Sequence, residues 1–73
     1  MSQLASRSAL YSVLQYISAL YQTGEISPET RNEMVALARK GKEDNYDSLY
    51  LKCAELPDSD LVTALKETIL FQI

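Results

Sequence analysis

The sequence has no histidine and no tryptophan, and in 73 residues it has one cysteine, one phenylalanine, two glycines and two prolines. Without histidine, the commonest general base and the commonest metal ligand are missing. The lone Cys53 excludes an intramolecular disulfide and fits a reducing compartment. Glycine stands only at 24 and 41, so no glycine-rich phosphate loop can form. Charge of one sign is also in short supply. Seven basic and ten acidic residues give a net charge of -3. No basic stripe exists to displace counterions from phosphate, so no nucleic-acid partner is expected. Long apolar runs are missing as well. No apolar run follows a basic start, as a secretory leader requires. Ser8, Ser12, Gln15, Ser18 and Gln22 interrupt the least charged stretch, and a membrane span needs about 20 predominantly apolar residues. The expectation is a cytoplasmic chain with no membrane partner.

What is present is enough apolar material to fold. The hydrophobic share is 47%, ordinary for a globular protein. A chain of this size buries a small share of its surface, so its stability margin is about a few kcal/mol. It is read as one domain, 1–73, either whole or the N-terminal domain of a longer protein.

The pattern is helical throughout. In 10–21 (LYSVLQYISALY), Leu10, Val13, Leu14, Ile17, Leu20 and Tyr21 share one face of a helix. No charged residue occurs from 8 to 24. Gly24 suits the left-handed position that ends a helix. Ser27-Pro28-Glu29 is a strong start signal: a capping hydroxyl, a proline where its missing N–H is harmless, and an acid at the positive end of the dipole. The second helix carries Thr30, Met34, Leu37 and Ala38 on one side and closes on Arg39, Lys40 and Gly41. Asp44 or Asn45 caps the third, whose face holds Tyr46, Leu49, Tyr50 and Cys53. Pro57 stops it. Asp58 or Ser59 caps the fourth, with Leu61, Val62, Leu65, Ile69 and Ile73 on one arc. Leu70 and Phe71 fall outside that arc. The expected fold is all-α, a compact bundle of four short helices at about 4–22, 28–40, 45–55 and 59–71. The first helix should be central. Short connectors favour antiparallel or steeply crossing neighbours.

Nothing in this pattern carries catalysis. Cys53 has no histidine to activate it and sits on an apolar face, where a thiol is inert packing. The pairs Glu29/Glu33, Asp44/Asp47 and Asp58/Asp60 read as caps, first-turn charges or solvated faces. Read as a calcium loop, 44–55 has Asp44 and Glu55 in place, but Tyr46 and Leu49 stand where a ligand and a glycine are needed. The run NYDSLYLKCAELPDS resembles part of a tetratricopeptide repeat over about fifteen residues. The rest of that repeat and any second copy are missing, so the chain is not read as a repeat protein. No enzyme activity, cofactor, metal or small-molecule substrate is expected.

The other sides of the first helix are more informative. Tyr16 lies at one border of its main face; Leu4 and Tyr11 lie together beyond the opposite border, near Gln15 and Ser18. A plain solvent face would carry Lys and Glu. Serine and glutamine are cheaper to cover with protein than charges are, and tyrosine joins a large apolar body to a polar tip. The expectation is an interaction or self-association module. It would bind another protein or a second copy through Leu4, Tyr11, Tyr16, Leu70 and Phe71. The competing expectation is a small acidic inhibitor or regulator that binds through Glu25, Glu29, Glu33, Asp44 and Asp47.

Overall fold

The computed structural model describes the backbone of 2–41 and 43–71 and the side chains of 10–41 and 44–71. Four helices account for most of it: α1 (Ser2–Gln22), α2 (Pro28–Lys40), α3 (Glu43–Ala54) and α4 (Asp60–Leu70). The described residues contain no strand.

The boundaries have local causes. At the end of α1, Glu25 N–H donates to Leu20 C=O at 2.9 Å and Gly24 N–H to Tyr21 C=O at 3.1 Å. This is the Schellman pattern. It needs a left-handed residue, supplied by Gly24 at φ 80°. Ser27 is extended, and its hydroxyl accepts from Thr30 N–H at 3.2 Å, with Pro28 in the first turn. Gly41, at φ 67°, ends α2 by donating to Leu37 C=O. Ser59 repeats the capping arrangement for α4, accepting from Val62 N–H at 3.1 Å. The third helix starts earlier than expected, at Glu43. Asp44 and Asn45 therefore lie inside it and do not cap it.

The helices form a closed ring. Among the described residues the backbone of α1 lies alongside α2 and α4, and that of α3 alongside the same two; α1 and α3 face each other across the core. Lys52 on α3 reaches Glu33 on α2 at 2.9 Å, which fixes those two helices as an antiparallel pair. Ser59, at the start of α4, lies beside Glu25, just past the end of α1. Adjacent helices whose opposite termini meet in this way run antiparallel. The core fills the middle of the ring: Val13, Ile17 and Leu20 from α1 meet Met34 and Ala38 from α2. Opposite them stand Leu49 and Cys53 of α3, with Val62, Leu65 and Ile69 of α4. The first helix is the longest and makes the two broadest pairings. It nevertheless forms one wall of the bundle, with side chains occupying the centre. Its apolar stripe is narrow enough to be covered by two neighbours.

Tyr21 departs from the expected face. It is 37% exposed, and the Arg31 guanidinium sits over its ring at 4.3 Å from the centroid. Ile26, in the connector, is buried in its place. The Schellman turn carries Ile26 back over the end of the core, which displaces Tyr21 to the rim. Ile73 and Lys42 lie outside the described residues.

Candidate functional site

Helices rise about 1.5 Å per residue. Counted from the meeting of Glu25 with Ser59, the eleven residues of α4 run back along α1 to about the level of residues 11 to 12. This puts Leu70 and Phe71 level with Tyr11. All three face solvent: Tyr11 is 68% exposed, Leu70 53% and Phe71 88%. The cause is helical phase. Val62, Leu65 and Ile69 take the inward arc of α4, and the next two positions are about 100° and 200° further round the helix. A shallow depression of about 340 Å³ opens there, lined by Glu67, Leu70 and Phe71. Nothing in the sequence pattern marks Glu67 as a wall of this depression.

Below Tyr11 on α1 runs an exposed stripe of Gln15, Ser18 and Gln22, at intervals of four, three and four residues. It carries no ion. Tyr16 stands apart from this stripe; it is half-buried and packed against the core. Leu4 belongs to α1, and its side chain lies outside those described. The structure therefore brings Tyr11, Leu70 and Phe71 to one end of the bundle and leaves Tyr16 between surface and core.

The end of α4 has a second property. Its last turn holds no basic residue of its own, so α4 itself supplies no cation to the partial negative charge of its last carbonyls. The first turn of α1 likewise holds no acidic residue of its own.

The remaining polar groups are settled locally. Ser59 and, to a lesser degree, Thr23 hold the Glu25 carboxyl below its usual range through hydrogen bonds from their hydroxyls. The hydrogen bond to Glu33, with that residue's charge, raises Lys52. Burial raises the Tyr46 phenol. Burial pushes the Cys53 thiol up to about 11, which keeps it protonated at neutral pH. A thiol that is both buried and protonated is a poor nucleophile. Among the described residues no three metal-binding side chains converge, and no buried side-chain polar atom lacks a partner. No described helix is long and apolar enough to cross a membrane.

No protein family, curated protein or solved structure matches the chain. The site must therefore be judged on its chemistry alone. It offers aromatic and aliphatic surface, neutral amide and hydroxyl groups for hydrogen bonds, and one carboxylate at its edge. Such a surface suits docking to another protein surface, because it can be dried without stranding a charge.

Proposed function

We propose that this chain is a non-enzymatic, adaptor-like protein–protein interaction module of the cytoplasm. It docks through Tyr11, Leu70, Phe71 and the uncharged stripe of α1, and Leu4 of the same helix is a further expected contact. The observation that carries this reading is the exposure of Tyr11, Leu70 and Phe71: Leu70 and Phe71 line one depression, and Tyr11 comes level with them by helix rise. Exposed aromatics framed by neutral polar residues have the composition of an interface centre.

The acidic reading has less behind it. Glu25 and Glu29 lie at the start of α2, while Asp44 and Asp47 lie on the first turns of α3, at the opposite end of the antiparallel pair. Glu33 is already paired with Lys52. These acids do not converge on one patch.

Salt and substitution together test the proposal. Association through the apolar surface should survive about 1 M salt, where screening acts over about 3 Å. It should weaken at least tenfold in Tyr11→Glu/Phe71→Glu. Binding that vanishes with salt, or that ignores the double substitution, would refute the proposed surface.

A further inference from the structure

Two exposed stripes lie on opposite sides of the bundle, and each carries what the other is missing. The first is on α1. Tyr11, Gln15, Ser18 and Gln22 are exposed on the side away from Val13, Ile17 and Leu20. Cations from α2 flank it. Arg31 reaches Tyr21 of α1, and Val35 and Arg39 follow Arg31 at four-residue intervals, one row on the α1 side of α2. Counted from Tyr21, Arg39 is about 12 Å back, level with about residue 13 of α1. The acids of α2 take its other side, where Glu29 precedes Glu33 by one turn and Glu33 meets Lys52 of α3. The Arg31 guanidinium sits over the Tyr21 ring and donates to Asn32 Oδ1 from Nε at 3.3 Å and from Nη2 at 3.0 Å. Both partners are neutral, and neither Arg31 nor Arg39 is paired with a described acid. On the other flank of the stripe stands Phe71. Lys66 of α4 lies towards Cys53 of α3, so the half-buried Ala64 and Thr68 take the α1 side, and Phe71 continues their row.

The second stripe is on α3, across the core from α1. Asp44, Asp47, Ser48, Leu51 and Glu55 are exposed on the side away from Leu49 and Cys53. Leu51 is 66% exposed, with acids before and after it along the helix. The one base nearby, Lys52, is turned to α2 and held by Glu33. We infer that this α3 stripe docks on the α1 stripe of a second copy, so that the chain associates with itself head to tail. The inference rests on the α1 surface assigned under the proposed function, and it names the partner.

Spacing, direction and charge select this occupant. Tyr11, Gln15, Ser18 and Gln22 have the same intervals as Asp44, Ser48, Leu51 and Glu55, so each stripe spans about 16 Å. Neighbours in the ring are antiparallel, so α1 and α3 run parallel, and a second copy shifted sideways without rotation lays α3 along α1 in the same direction. In that register Leu51 comes level with Ser18. Glu55 comes level with Arg31 and Asp47 with Arg39, at the same separation of about 12 Å in both pairs. Phe71 flanks the end where Asp44 meets Tyr11. A carboxylate suits the guanidinium fork. A chain of net charge -3 repels its copies in most orientations, and this one sets a positive flank against a negative stripe. One helix along another buries less than about 1,200 Å² in total, the range of weak contacts. Because the two stripes lie on opposite sides, each added copy presents a fresh α1 stripe, and assembly does not stop at two.

Sedimentation equilibrium of the intact chain, from about 10 µM to about 1 mM, covers the affinities such an interface gives. The expected result is a mass that rises above one chain and continues past two. Raising salt from about 0.05 to about 0.5 M should weaken the association severalfold without abolishing it. Ser18→Glu and Leu51→Glu each put an acid into one stripe and leave the other stripe intact. Both side chains are exposed, so helicity by circular dichroism should be unchanged. Either variant alone should stay a single chain. Mixed in equal amounts, they should form a two-chain species and nothing larger, because one intact stripe of each remains to pair. A single-chain mass of the parent at every concentration overturns the inference and leaves the α1 surface to an unlike protein. Association that Leu51→Glu does not reduce, or a mixture that stays at one chain, overturns the pairing of α3 with α1. The docking surface of the proposed function is then decided separately, by Tyr11→Glu/Phe71→Glu.

Discussion

At the end where α1 turns into α2 and α4 begins, the polar groups are satisfied within the chain, although Tyr21 and, late in α3, Leu51 face water. Ser27 and Ser59 cap their helices, Thr23 donates to Leu20 C=O at 3.0 Å and to Glu25 at 2.7 Å, and Ile26 closes the core. At the end where α4 stops, the last turn of α4 carries no base, although α2 closes there on Arg39 and Lys40, and Tyr11, Leu70 and Phe71 face water. Both ends are built from the same residue classes. What distinguishes them is helix length. α1 turns over at the first end and passes beyond its neighbours at the second. A helix that outruns its bundle leaves its own flank, and the tips of its neighbours, uncovered.

The comparison can be broken most forcefully through stability. Leu20→Ala, at the closed end, should cost about 3 kcal/mol in urea unfolding, since it opens a cavity among fully buried side chains. Phe71→Ala, at the open end, should change stability by less than about 0.5 kcal/mol. Similar losses for the two would mean that Phe71 is packed and the ends are alike.

The interior between the ends gives the next effect. The Cys53 pKa is raised in the folded chain from 9.0 to about 11. The unfolded chain therefore releases this proton first. Stability associated with it is complete below about pH 9 and is lost as pH rises towards 11. The loss is about 3 kcal/mol, at 1.36 kcal/mol per unit. Raised Tyr46 and Lys52 act with the same sign. Cys53→Ala should flatten the alkaline limb of a stability–pH profile. An unchanged slope would show that the thiol is not desolvated.

The smallest effect sharpens the account of the closed end. Ser59→Ala should remove about 1 kcal/mol of capping. It should also release Glu25, whose carboxyl pKa would climb towards its ordinary value, as followed by NMR titration. Glu25 is depressed in the folded chain, so its stabilising effect is present at neutral pH and fades as acid protonates it. The variant should be less sensitive to acid than the parent. A Glu25 titration that does not move would remove the link between the turn and α4.

Much of the bundle could be read from the residues because its signals are local. Ser27, Pro28 and Gly41 act through their own backbone, and they bound α2 where the sequence places it. The arcs of α3 and α4 follow from spacing alone: Leu49, Cys53, Val62, Leu65 and Ile69 are all buried, while Leu51, Leu70 and Phe71 fall outside the arcs and face water. The errors lie where tertiary geometry decides. Tyr21 shares the phase of the α1 face but meets the Schellman turn, and Ile26 takes the space it would have filled. The leading place of α1 follows from its length, and it makes the two broadest pairings of the bundle. Two neighbours and an uncharged, exposed stripe produce the same sequence signal as full burial. Tyr11 and Phe71, sixty residues apart, come level only through the antiparallel pairing of α1 with α4, which no local pattern encodes.

The central claim is that the end holding Tyr11, Leu70 and Phe71 associates while the turn holding Thr23 to Ser27 does not. Backbone amide shifts recorded across a dilution series of the intact chain test it directly. The account predicts concentration-dependent shifts at Tyr11, Glu67, Leu70 and Phe71, with Gly24 and Ser27 unmoved. Shifts confined to Gly24 and Ser27, or no shift at Tyr11 and Phe71 at any concentration, would contradict it.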